Sequence, residues 1–100
     1  MIRHIVSWKL QTQAMGATKA ENLVRMRKAL EALPSKIEAI RQLEVGIDGL
    51  RSDSSWDIVL IVDFETWDDL RTYQQHPEHL KVAELVAGLR QERAVVDFEL

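Results

Sequence analysis

Ile58-Val59-Leu60-Ile61-Val62, inside the segment Trp56–Phe64, fixes how the rest of the chain must be arranged. The run is apolar throughout and mostly β-branched, which favours extended backbone. Successive side chains of a strand point to opposite faces, so a run greasy on both must be covered on both. The segment is therefore predicted to be a strand in the middle of a sheet. Upstream, Arg41–Asp48 alternates Leu43, Val45 and Ile47 against Gln42, Glu44 and Gly46, the pattern of a half-buried strand. The polar stretch Gly49–Ser55 joins the two.

Downstream, Thr66 is placed to cap a helix, with Asp68 and Asp69 in the first turn where the helix dipole favours negative charge. This helix is expected to reach Tyr73 or slightly beyond. Pro77 suits the first position of a renewed helix, because its missing N–H would be unpaired there anyway. Leu80, Ala83, Val86 and Leu89 are its expected inward stripe, and Ala94–Leu100 closes the chain as a strand. At the other end, Ile2–Leu10 puts Ile2, His4, Val6, Trp8 and Leu10 on one face. Arg3, Ser7 and Lys9 lie on the other, where Ile5 points to some cover there too. Gln11–Ala17 reads as a loop. Thr18 and Glu21 form a capping box for a helix to about Leu33, with Leu23, Met26, Leu30 and Leu33 inward. Pro34 then disfavours helix at Leu33 and starts a short turn through Ile37.

The order is βαββαβ, without linker or repeat, and predicts one domain over residues 1–100. Its fold class is α+β, a ferredoxin-like four-stranded antiparallel sheet with both helices on one face. The other face is expected to carry Ile58, Leu60 and Val62 beside Ile2, Val6 and Trp8. Such a patch is about as large as a soluble monomer tolerates, so a homodimer packed sheet to sheet is predicted.

A net charge of −3 gives no basic face for phosphates, which argues against nucleic acid. No apolar run approaches the roughly 20 residues of a membrane span. With no cysteine, disulfide and thiolate chemistry are excluded. A strand pattern starting at Ile2 leaves no room for a signal peptide, so the expected location is cytoplasmic.

Titratable groups gather in Tyr73-Gln74-Gln75-His76-Pro77-Glu78-His79, which holds the only tyrosine and two of the three histidines. With His76 as N-cap, His79 falls in the first turn, where the helix end disfavours imidazolium. A neutral imidazole could take a proton from a carbon acid, and Tyr73 could hydrogen-bond the enolate oxygen. Alternatively, His79 bonds a loop carbonyl and Tyr73 packs at the core edge. His76 serves the turn before Pro77 or the ligand. His4 is either a satisfied core histidine or part of a pocket wall. Trp8 and Trp56 pack in the core or interface, or stack on a ligand. Asp97 faces solvent or pairs with a sheet neighbour. His76 and His79 lack the further ligands a metal needs, and no Gly-rich phosphate loop is present, so neither metal nor cofactor is expected.

Met1-Ile2-Arg3-His4-Ile5-Val6, Leu43-Glu44-Val45-Gly46, the Tyr73–His79 segment and Val95-Val96-Asp97-Phe98 together resemble the stress-responsive A/B barrel (Dabb) domain. The resemblance covers essentially the whole chain in order. It implies a dimeric α+β barrel with a pocket in each subunit between sheet and helices. A plant polyketide cyclase of that family performs an aldol condensation without cofactor. Its Tyr-x-x-His-Pro-x-His segment implies catalytic roles for Tyr73 and His79. An apolar or aromatic small molecule would lie against His4, Trp8, Leu30, Leu60 and His76. Aromatic residues of the cyclase's first helix are replaced here by Met26, Arg27 and Leu30, so the resemblance does not carry the cyclase's substrate over to this chain. The other implied role is a non-catalytic binding or stress-associated dimeric module.

Overall fold

The apolar run at 58–62 occupies an inner strand, as its two greasy faces require. The computed structural model describes residues 1–100. It consists of β1 (Ile2–Leu10), a hairpin of β2 (Gln13–Ala14) and β3 (Ala17–Thr18), α1 (Lys19–Glu31) and a 3₁₀ turn (Leu33–Ser35). There follow β4 (Gln42–Ile47), β5 (Ile58–Phe64), α2 (Trp67–Gln75), α3 (Pro77–Leu89) and β6 (Arg90–Glu99). The main sheet has the order β4-β5-β1-β6, antiparallel throughout, with the helices on one face. This is the α+β ferredoxin-like arrangement expected from the element order.

Local chemistry accounts for the element ends. The capping box forms in full: Glu21 N–H donates to Thr18 Oγ1 at 3.2 Å, and Thr18 N–H donates to Glu21 Oε1 at 3.0 Å. Thr66 Oγ1 accepts from Asp69 N–H at 3.1 Å and starts α2. The segment expected to be only a loop contains the β2–β3 hairpin, whose tip, Met15 (φ 52°) and Gly16 (φ 75°), has the positive φ angles of a type I′ turn. Two-residue strands are too short to leave a period in the sequence. Asn22, buried on α1, anchors this hairpin by donating from Nδ2 to Ala14 O at 3.0 Å.

One expectation is corrected. Ile58, Leu60, Val62, Ile2, Val6 and Trp8 do not face away from the helices; they form the core beneath them, each at most 5% exposed. The bare face carries the alternate residues instead. Register places Ile5 between Ile61 and Val96, with Val59 two pairs further along, opposite Ser7. Val96 is 61% exposed and Phe98 37%, so an apolar stripe still runs across the uncovered side. Beside it, Arg3 grips Asp63 through both oxygens, at 2.8 and 3.0 Å. That guanidinium holds the Asp63 carboxyl below the usual carboxylate range. The parity error arose because a run apolar on both faces does not say which residues the helices will take. No helix is long and apolar enough to cross a membrane.

Candidate functional site

Pro77 breaks what would otherwise be one helix, and the break builds the site. Having no N–H, Pro77 cannot bond the Tyr73 carbonyl, which accepts from His76 N–H at 3.2 Å instead. His76 is extended (φ −66°, ψ 135°), the conformation favoured before proline, and caps α3. Its Nδ1 accepts from Glu78 N–H at 3.1 Å. In a continuous helix that N–H would have gone to the Gln74 carbonyl. The Gln74 carbonyl accepts from His79 Nδ1 instead, at 3.1 Å. A carbonyl can only accept, so Nδ1 carries the proton and neutral His79 presents Nε2 as its basic nitrogen. Burial, the largest influence, pushes His79 below its ordinary value; the Gln74 bond opposes this, and the charges of His4, Arg93 and His76 add to it.

Tyr73, on the last turns of α2, is fully buried. Its ring lies 4.4 Å from that of His79, 5.1 Å from Phe64 and 6.0 Å from His4, centroid to centroid. Its hydroxyl has no hydrogen-bond partner, and neither does the buried Nε1 of Trp8. Burial pushes the phenol well above its ordinary value, so it stays protonated and is a hydrogen-bond donor.

These groups share one cavity of about 220 Å³ between sheet and helices. Six of the expected residues line it together: His4 and Trp8 from β1, Leu30 from α1, Leu60 from β5, Tyr73 from α2 and His79 from α3. His76, also expected against the ligand, lies outside the lining; its ring is committed to the α3 cap. His4 Nδ1 donates to Asp97 Oδ1 across the β1–β6 pair, so Asp97 pairs with a sheet neighbour. No group of three or more His, Asp or Glu side chains is arranged to hold a metal ion.

The sequence reading missed the outer wall. Leu80, expected inward, is 53% exposed, and Ala83 is exposed too; the inward stripe of α3 runs through half-buried His79 and Val82 to buried Val86 and Leu89. That same three-to-four spacing was available with His79 as its first member, and it turns His79 toward the sheet. Arg90 and Arg93 also line the cavity, from a β6 that begins before the expected Ala94. Polar Arg90-Gln91-Glu92-Arg93 shows no apolar alternation, so only pairing with β1 reveals it as strand. Counting back by twos from Asp97 and Val95 would have placed Arg93 on the His4 face.

The sequence model of the family described as the stress responsive A/B barrel domain, Dabb, matches residues 2–100. A dimeric protein of unknown function and ferredoxin-like fold from Bacteroides fragilis is 37% identical. It superposes with a TM-score of 0.82 over 99% of this chain and 95% of its own. A dimeric ferredoxin-like protein of unknown function from Thermobifida fusca is 26% identical, with a TM-score of 0.84 over 99% of this chain and 90% of its own. Hydroxynitrile lyase from Passiflora edulis, at 17% identity, superposes with a TM-score of 0.81 over 97% of this chain and 90% of its own, a likeness of fold alone. No curated protein sequence matches the chain.

Proposed function

The chain belongs to the stress-responsive A/B barrel domain family, and on that premise we propose that it is a cytoplasmic homodimer with cofactor-independent acid–base chemistry on a small apolar or aromatic carbonyl compound. Residues 1–100 act as one domain, and each subunit keeps its own cavity. The observation that carries this reading is the pairing of a neutral His79, with Nε2 unprotonated, and an unpartnered Tyr73 hydroxyl on one cavity wall. His79 Nε2 takes a proton from the carbon beside a ligand carbonyl. The electron pair left on carbon moves onto the carbonyl oxygen, and Tyr73 O–H donates to that oxygen. The enolate carbon can then form a bond to a second carbonyl carbon, as in aldol ring closure, or be reprotonated. His4 and Trp8 from the sheet, with Leu30 and Leu60, give the ligand its walls.

The chemistry can be tested before a natural substrate is found. Acetophenone in deuterium oxide exchanges its methyl protons through the enolate or enol, and proton NMR follows the loss. The wild-type protein is expected to accelerate this exchange, and His79→Ala to remove about 10²-fold of the acceleration. No acceleration over buffer, or an unchanged rate in His79→Ala, would defeat the catalytic reading.

The second reading is a dimeric binding module without catalysis. Two contacts favour it: His79 already bonds the Gln74 carbonyl, and Tyr73 already packs on Phe64. It predicts that acetophenone shifts amide resonances around the cavity while its exchange rate stays at the buffer value.

A further inference from the structure

We propose that the ligand of this cavity is an organic acid, an apolar body bearing a carboxylate held by Arg93 and Arg90 at the outer wall. The inference rests on the small-molecule reading above and names the class of molecule. Arg93 lies opposite Trp8 in the β1–β6 register, so its side chain leaves the sheet on the cavity side. Arg90, where α3 gives way to β6, lines the same cavity. Both are exposed, whereas His4, Trp8, Leu60 and Tyr73 form a buried floor.

Neither arginine has a carboxylate partner within the chain. The nearby acids are already engaged: Asp97 accepts from His4 Nδ1, and Glu92 lies 3.4 Å from Lys9 Nζ. Two guanidinium groups on a mostly apolar cavity suit a carboxylate, which arginine takes through paired hydrogen bonds.

The positive charge also reaches the reacting groups: Arg93 lies close enough to favour negative charge on the Tyr73 oxygen and the neutral form of His79. Anchoring one end of the ligand at Arg93 leaves its apolar body along Val6, Leu60 and Val86, with the Tyr73–His79 pair alongside. At about 220 Å³ the cavity exceeds one of about 150 Å³ that holds benzene, so a single ring with a short acidic side chain is the right scale.

Calorimetric titration with phenylacetate and its neutral isostere phenylacetamide tests this directly. The wild-type dimer is expected to bind the acid about tenfold or more tightly than the amide, the range of a charge-assisted hydrogen bond. Arg93→Gln is expected to erase that preference while leaving amide binding unchanged, and Arg93→Lys to restore part of it. Equal binding of acid and amide to wild type, or an equal loss of both in Arg93→Gln, would overturn the carboxylate assignment and leave the small-molecule cavity standing. If neither probe binds at millimolar concentration, the cavity reading falls together with it. A merely structural Arg93 would change the unfolding midpoint of the variant without changing the acid-to-amide ratio.

Discussion

A phenol shut away from water without a hydrogen-bond partner costs about 1–3 kcal/mol, and Tyr73 carries one. Tyr73→Phe removes that cost and keeps the ring contacts with Phe64 and His79. Urea unfolding of the variant is expected to show stability raised by about 1 kcal/mol with an unchanged m-value. Its acetophenone exchange is expected to fall at least tenfold, because the enolate loses its donor. His79 gives the complementary prediction in pH. Its folded-state value lies below the ordinary 6.5, chiefly through burial, so the folded protein holds fewer protons there than the unfolded chain. Above pH 6.5 the group carries no penalty; as pH falls below that, stability drops until the folded-state value is passed. The exchange rate should accordingly hold through neutral pH and fall only below about 6.5, and His79→Ala should abolish that acid limb. These two residues were legible because a tyrosine and a histidine flank the chain's one proline in a helical stretch. Arg93 was not, since nothing in Arg90-Gln91-Glu92-Arg93 announces a strand until β1 is laid beside it.

The broken helix α2–α3 is the element that gives His79 its tautomer. Pro77 frees the Gln74 carbonyl, and His76 satisfies the Glu78 N–H that would otherwise have claimed it. His76→Ala removes an N-cap acceptor and is expected to cost about 1 kcal/mol in chemical unfolding. It should also slow exchange, because His79 loses the turn that aims it. His76→Asn, which supplies another N-cap acceptor, should recover most of both; a His76→Ala protein with wild-type stability and rate would show that the cap is idle. The capping residues, the break and the ends of α2 and α3 could all be read from residue types, because each depends on neighbours close in sequence. The inward stripe of α3 was ambiguous, because the same spacing fits from His79 or from Leu80. Leu80 and His79 are adjacent, and choosing between them requires knowing that Tyr73, Phe64 and His4 already form a polar-edged cluster under the break.

At the scale of the whole molecule, the helices cover the Leu60 face of the sheet and leave Ile5, Ile61, Val96 and Phe98 on the other. The dimeric proteins of the same fold that this chain resembles make a second copy the natural cover for that stripe. Sedimentation at micromolar concentration is expected to give about twice 11.5 kDa. Val96→Arg, at a site already 61% exposed in the single chain, should yield a folded monomer. The need for a partner was visible in the run Ile58–Val62, but its parity was not, because strand alternation alone cannot tell which face the helices choose. The cavity lies on the helix side of the sheet, away from that stripe, and the proposed chemistry depends on one nitrogen. Nitrogen NMR of His79, followed through a pH titration with and without acetophenone, tests that most directly. The expected result is a proton on Nδ1, an unprotonated Nε2 at neutral pH, a midpoint below 6.5 and a shift of Nε2 when the ketone is added. A proton on Nε2, a midpoint at or above 6.5, or no response to the ketone would contradict it.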